Sequence, residues 1–169
     1  LNQNNFKINI DKSISDLKKC KKHYPEINNI CASMTNLPIK ENSIDVVIGG
    51  TPCQGFSIAG NIGRNFLNDP RNHLFKEFAR VVSILNPKFF VIENVARVYN
   101  HNKGKTREEI FELFNGLGYT VDCKLLNSVD YGVSQKRNRI FIMGNRLGFE
   151  NKFPSKLEKK YKTVKEAIG

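Results

Sequence analysis

The sequence predicts an α/β fold: a parallel or mostly parallel sheet with helices on both faces. Three observations carry this. Ile44, Val46, Val47 and Ile48 form a nearly continuous apolar run, and Phe89-Phe90-Val91-Ile92 forms another, as expected of strands covered on both sides. Between them, Leu74, Phe75, Phe78, Val81, Val82 and Leu85 recur at helical spacing. The alternation of strand and helix then continues to about residue 144, which is the pattern of βαβ units.

Taken in order, Phe6 to Ile10 reads as a short strand, Ser13 to Lys22 as a polar helix, and Asn29 to Cys31 as another short strand. Ser43 to Gly49 is the first strong strand. Residues 54–71 are rich in Gly, Asn and Asp without periodicity, and a loop of that length inside a compact domain is usually functional. The helix from about Asn72 to Leu85 is stopped by Asn86-Pro87. The strand Phe89 to Ile92 ends on Glu93-Asn94. Thr106-Arg107-Glu108-Glu109 reads as a capping box opening a helix with the stripe Ile110, Phe111, Phe114 and Leu117, which Gly118 ends. Tyr119 to Leu126 and Arg139 to Gly144 complete the strands. Residues 1–150 thus form one domain, and the Lys-rich stretch 151–169 reads as its edge, leading elsewhere.

Bulk properties narrow the function. The 169 residues are enough to bury a real core, and 40% hydrophobic with 25% charged residues is ordinary for a globular protein. No apolar stretch approaches the ~20 residues of a membrane helix, so no membrane partner is expected. Cys20, Cys31, Cys53 and Cys123 lie far apart without nearby His ligands. That argues against a disulfide framework or a metal site and for a reducing cytosol. A net charge of +11 suits a polyanionic partner, most simply nucleic acid, although runs such as Lys18, Lys19, Lys21 and Lys22 are usually solvated faces.

Three polar groups sit where buried strands begin or end. Cys53 lies in Gly49-Gly50-Thr51-Pro52-Cys53-Gln54-Gly55, just past the first strong strand, where an α/β sheet presents its reactive groups. Glu93 ends the second strong strand, and parallel neighbours would put both residues on one rim. Gln135-Lys136-Arg137-Asn138-Arg139 leads into Ile140-Phe141-Ile142. A lone strand-end Cys is usually inert, a lone Glu usually a cap or an ion-pair partner, and a lone Gln-x-Arg-x-Arg usually surface charge. Their joint placement on one sheet edge is much less expected by accident.

At this point the chain resembles the DNA cytosine-5 methyltransferases. Pro52-Cys53-Gln54, Glu93-Asn94-Val95 and Gln135-x-Arg137-x-Arg139 occur in the family's order and at comparable spacing. So do Asp69-x-Arg71 with Leu74-Phe75, and Asn127-Ser128-x-Asp130-Tyr131-Gly132-Val133; the resemblance covers about Ile30 to Phe153. It implies a Rossmann-like S-adenosylmethionine-dependent methyltransferase sheet, incomplete at its N-terminal, cofactor-loop end. It also implies methyl transfer to C5 of a flipped-out cytosine in double-stranded DNA, within restriction-modification. Cys53 would attack C6 of the base, and Glu93 would act at N3, helped by burial against Phe89 to Ile92. Arg139, with Arg137, would hold O2 and nearby backbone or phosphate. Gln54, Ser57, Arg64, Asn94 and Gln135 would meet DNA, with Asn94 also fixing the strand end. Pro52, Leu74, Ser33 and Met34 would touch the cofactor.

Other family features have no counterpart. The Phe-x-Gly-x-Gly cofactor loop is absent, Asn9 or Asp11 poorly matches the ribose-binding acid, and Ser33 stands where an acid is expected at the adenine. Thr163 to Gly169 looks like the lead-in to the target-recognition region. The resemblance therefore implies a truncated enzyme, or one part of a split enzyme with a second polypeptide, binding S-adenosylmethionine weakly or not at all by itself. An RNA cytosine methyltransferase acting on a tRNA-like loop, and a silent DNA-binding or partner subunit, are the alternative functions.

Overall fold

The computed structural model describes residues 8–11, 22, 28–31, 39–51, 73–158 and 163–168. It divides into two compact units, Leu1–Lys40 and Glu41–Gly169. In the first, β1 (Ile8–Asp11) and β2 (Asn28–Cys31) pair in parallel, with Ile10 opposite Ile30. Of the helix expected at 13–22, only Lys22 is among the described residues, and it is helical.

The second unit is built on a four-stranded sheet in the order β3-β4-β6-β5. β3 (Val46–Gly50) runs parallel to β4 (Phe89–Val95). β6 (Asn138–Asn145) runs against both β4 and β5 (Thr120–Asn127). Three strands therefore point one way and β6 is reversed between two of them, so the sheet is mixed, where the sequence suggested a parallel or mostly parallel one. The cause is the link from β5 to β6, a 3-10 turn at Ser128–Tyr131 followed by a short loop. It is too short for the crossover helix that parallel neighbours require.

Two helices, α1 (His73–Leu85) and α2 (Lys105–Gly116), both lie on the face of the sheet to which Phe90 points. Phe90 is fully buried there, 4.2 Å centroid to centroid from Phe114 and 6.3 Å from Phe78, with Tyr119 edge-on at 5.2 Å. Phe75, Val82, Ile92, Ile110, Ile140 and Ile142 fill the space around this cluster. Backbone alternation sends Phe89, Val91, Glu93 and Val95 to the other face, where burial is only partial. On that face Ile48 is 74% exposed, and no described helix covers it.

The connections explain themselves locally. α1 stops at Asn86, which takes a left-handed φ of 51° before Pro87, and its amide bonds Asn42 Oδ1 at 2.8 Å. α2 ends in a Schellman motif: left-handed Gly118 donates to the Asn115 carbonyl at 2.9 Å and Tyr119 to that of Phe114 at 3.1 Å. The N-terminus of α2 departs from the expected capping box. Gly104 (φ 91°) is the N-cap without a side-chain cap, and Thr106, the second residue of the helix, is buried, where its hydroxyl meets His101. A capping box does form at Thr163 and Glu166, opening the short α3 (Val164–Ile168) through reciprocal backbone bonds of 2.6 and 3.2 Å.

Beyond β6, a buried asparagine fixes the exit. Asn145 Oδ1 accepts from the Leu147 and Phe149 amides at 3.1 and 3.3 Å. Its Nδ2 donates to the Phe149 carbonyl and to Asn151 Oδ1 at 2.8 and 2.9 Å. Asn151 in turn bonds the Thr120 carbonyl and Asp122, both at 2.9 Å. The amide of Asn145 is thereby fully used, as a buried polar group requires.

Glycine at 144 is dictated by close approach: a Cβ there would stand 2.1 Å from Phe90 Cε1. Phe90 is wedged against Phe114 and cannot yield. Gly144→Ala is therefore expected to cost about 1–3 kcal/mol through overpacking, read as a lowered urea midpoint. An unchanged midpoint would show that the aromatic cluster is free to shift.

Candidate active site at the ends of β3 and β4

The site is set by register. β3 ends with Gly50 opposite Glu93, two residues before β4 ends at Val95. β6 enters the sheet beside that end because it runs the other way, with Val95 opposite Arg139 and Glu93 opposite Phe141. Glu93 and Arg139 are thus diagonal neighbours on one face. Arg139 Nε lies 2.8 Å from Glu93 Oε1, the two side chains being 24% and 36% exposed. The same guanidinium donates through Nη1 to the Asn138 carbonyl at 2.8 Å. Glu93 Oε2 lies on the β3 side, 3.6 Å from where a Cβ on Gly50 would be. The deep burial expected for Glu93 is not found. Its side chain is 36% exposed, and among the described residues its ion pair is with Arg139.

Asn94 points the opposite way and is buried. Its Nδ2 donates to the Thr51 carbonyl at 3.1 Å and to Thr51 Oγ1 at 3.2 Å, while Oδ1 accepts from the Val95 amide at 2.8 Å. One asparagine thus ties the end of β4 to the residue at which the chain leaves β3. Thr51 precedes Pro52-Cys53 directly.

The loop entering β6 is held from the end of β5. Asn127 Oδ1 accepts from the Val129 and Arg137 amides at 3.4 and 3.2 Å. The Ser128 amide donates to the Arg137 carbonyl at 3.1 Å, and its hydroxyl to the Gln135 carbonyl. Gln135 and Arg137 are consequently exposed while their backbones are fixed.

Past β4 the rim continues as two 3-10 turns, Ala96–Tyr99 and His101–Gly104. Arg107 stacks over Tyr99 at 4.6 Å, and His101 Nδ1 lies 2.7 Å from the buried Thr106 hydroxyl. Desolvation, reinforced by the positive charge of Arg97 and opposed by Glu109, holds the His101 imidazole below its ordinary range. Cys123, half-buried on β5, is a poor candidate nucleophile. Burial pushes its thiol up, only partly countered by Arg107. Among the described residues no group of three or more His, Cys, Asp and Glu side chains could hold a metal, and no helix is long and apolar enough to cross a membrane.

Of the site residues named from sequence, the structure brings Glu93 and Arg139 into contact. It leaves Gln135 and the Arg137 side chain exposed on the adjoining loop and turns Asn94 inward to Thr51. Asn94, buried to 5% exposure, offers little surface to a ligand. Ser33, Met34, Pro52, Cys53, Gln54, Ser57 and Arg64 lie outside the described residues, as does the side chain of Leu74. Sequence reasoning missed Thr51 and the bracing role of Asn127. For Asn127 the signal was an Asn just before a turn, where its side chain can replace a backbone acceptor.

An α/β methyltransferase sheet is what this architecture matches among solved structures. A prophage-encoded DNA modification methyltransferase from E. coli superposes with a TM-score of 0.72 at 27% identity, over 96% of this chain and 47% of that one. The chain belongs to the C-5 cytosine-specific DNA methylase family, whose model matches residues 2–169. It is 60% identical over 131 residues to the Type II methyltransferase M1.HphI of Haemophilus parahaemolyticus, a match covering 78% of this chain and 35% of that protein. It is 43% identical over 150 residues to the Type II methyltransferase M.AquIA of Picosynechococcus sp., covering 75% and 60% respectively. The chain thus spans about a third of M1.HphI.

Because His101 resists protonation in the folded state, the unfolded chain takes up the proton first as pH falls. Its penalty is absent above the ordinary value of 6.5 and grows below it, so stability falls on acidification. Thermal unfolding at pH 7.5 and 5.5 should show a larger loss in the wild type than in His101→Gln. Equal losses would remove His101 from the balance.

Proposed function

We propose that this chain carries the base-handling core of a DNA cytosine-5 methyltransferase, with Cys53 as nucleophile, Glu93 acting at N3, and Arg139, aided by Arg137, holding the base. One observation supports this above the others. The β3–β4 register sets Gly50 beside Glu93, so the strand that continues into Cys53 leaves the sheet level with the Glu93–Arg139 pair. Cys53 follows Thr51 by two residues in the sequence, and Thr51 is held by Asn94.

Cytosine C5 is a poor nucleophile. Addition of the Cys53 thiolate to C6 forms an S–C6 bond and moves the C5–C6 π electrons into the ring, leaving C5 enamine-like. A proton or strong hydrogen bond from Glu93 at N3 makes C6 the better electrophile. Arg139 holds Glu93 before the base arrives. The rest of its guanidinium fork is left to reach O2 of the base, so that one arginine holds the carboxyl and the base side by side. Once C5 carries the methyl group, loss of the C5 proton to water restores the C5–C6 double bond and expels the Cys53 thiolate.

Family membership implies S-adenosylmethionine, which supplies an electrophilic methyl group when bound. Ser33, Met34, Pro52 and Leu74 are its candidate contacts. Of these, only the backbone of Leu74 lies among the described residues. A base inside a duplex is out of reach of the thiol, so the cytosine is flipped out. Gln54, Ser57, Arg64, Gln135 and Arg137 are the candidate DNA contacts, and the net charge of +11 favours the polyanion.

Replacing the C5 hydrogen of cytosine by fluorine blocks the last proton loss and hence elimination. In the intact protein carrying these residues, supplied with S-adenosylmethionine, duplex DNA containing 5-fluorocytosine should form a denaturant-stable adduct with the wild type and none with Cys53→Ser. Glu93→Gln should slow transfer to ordinary cytosine about 100-fold or more. Adduct formation by Cys53→Ser would overturn the assignment of the nucleophile. Transfer to a tRNA loop in place of duplex DNA would overturn the choice of substrate.

A further inference from the structure

The chain that follows β6 returns to grip the turn from which β6 is launched. Three successive residues of that turn hold the segment Pro154–Leu157. The Asp130 carbonyl accepts from the Leu157 amide at 2.9 Å, and the Asp130 carboxylate pairs with Lys156 Nζ at 2.8 Å. The Tyr131 hydroxyl donates to the Pro154 carbonyl at 3.2 Å. Leu157 Cδ1 stands 3.3 Å from where a Cβ on Gly132 would be. Asp130 is only 11% exposed while Lys156 is 71% exposed, so the acid is anchored and the lysine reaches in to it. The other side of the same turn is bonded to the loop before β6: the Val133 amide to the Ser128 carbonyl at 3.2 Å, the Ser128 amide to the Arg137 carbonyl, and the Arg137 amide to Asn127. Two residues further on is Arg139, paired with Glu93.

We propose that Asp130 and Tyr131 are positioning residues, which use the Pro154–Leu157 segment as a brace to hold the Gln135–Arg139 loop where Arg139 can serve Glu93 and the base. The brace joins the segment on which the chain departs toward its C-terminus to the ion pair at the candidate site. A load on that segment is thereby felt at Arg139. A surface ion pair alone contributes little. Here it acts together with two backbone-directed hydrogen bonds and the half-exposed Leu157 side chain lying against Gly132, all on one short turn, so the group behaves as a unit. The proposal rests on reading Glu93 and Arg139 as the base-handling pair, and its test separates the two.

Asp130→Asn removes the ion pair with Lys156 and Tyr131→Phe the hydrogen bond to the Pro154 carbonyl, each with little change in volume. Asp130→Asn also makes the protein more basic, so simple electrostatics would tighten DNA binding, the opposite of a loosened brace. In the intact protein, each variant should lower kcat about fivefold and leave KM for DNA within about twofold. The double variant should lose less than the product of the two, because the contacts are coupled. Amide exchange at Val133 and Arg137 should quicken with the melting temperature unchanged, and the Arg139 Nε–H resonance should move toward its position in Glu93→Gln. Unchanged exchange and an unmoved Arg139 resonance would overturn the brace, as would quickened exchange with unchanged kcat. If Asp130→Asn fails to fold, Tyr131→Phe carries the same tests. A wild type with no transfer to cytosine would overturn the function, while the exchange and the Arg139 resonance would still decide the brace.

Discussion

The antiparallel entry of β6 beside β4 is the constraint on which the candidate site depends. Because the two strands run oppositely, the first residues of β6 lie at the last residues of β4, and Arg139 falls within 2.8 Å of Glu93. Had β6 run parallel, its first residues would sit beside Phe89, some six residues or roughly 20 Å from the strand ends. The short braced turn between β5 and β6 leaves no room for that alternative. Chemistry at the rim thus follows from a connection at the side of the sheet.

β4 carries the rest of the division of labour. Its alternate residues Phe90 and Ile92 anchor the aromatic core under α1 and α2, and Asn94 on the same face holds Thr51. The intervening residues Phe89, Val91 and Glu93 face the open side. Burial on one face supplies the stability that allows a charged group to stand, rigidly placed, on the other. Glycines at 49 and 144 let the Phe78 and Phe90 rings press onto neighbouring strands, where a methyl group would collide with them.

Much of this was legible from the residues. The continuous apolar runs of β3 and β4 and the stripe of α1 mark buried elements whatever their neighbours, and Glu93 and Arg139 could be placed near strand ends on that basis. The direction of β6 was not legible, since Ile140-Phe141-Ile142 reads the same parallel or antiparallel. Glu93 looked buried because four apolar residues precede it, yet period-two alternation turns it onto the open face. Thr106 mimics a cap in sequence, but three successive left-handed residues, Asn102, Lys103 and Gly104, already turn the chain into α2. They release the Thr106 hydroxyl for His101. The Asn145–Asn151 network and the brace from Pro154–Leu157 join residues through hydrogen bonds that leave no periodic trace.

The diagonal pairing of Glu93 with Arg139 has a consequence for folding fidelity. A strand carries its side chains to alternate faces, so a slip of β6 by a single residue would turn the Arg139 guanidinium into the buried place of Ile140 opposite Asn94 and bring Ile140 out to water. Such a sheet would bury an unmatched charge and lose its stability at once. Assembly and competence are therefore checked by the same residue: a molecule that has folded well enough to persist has already aligned its reactive edge.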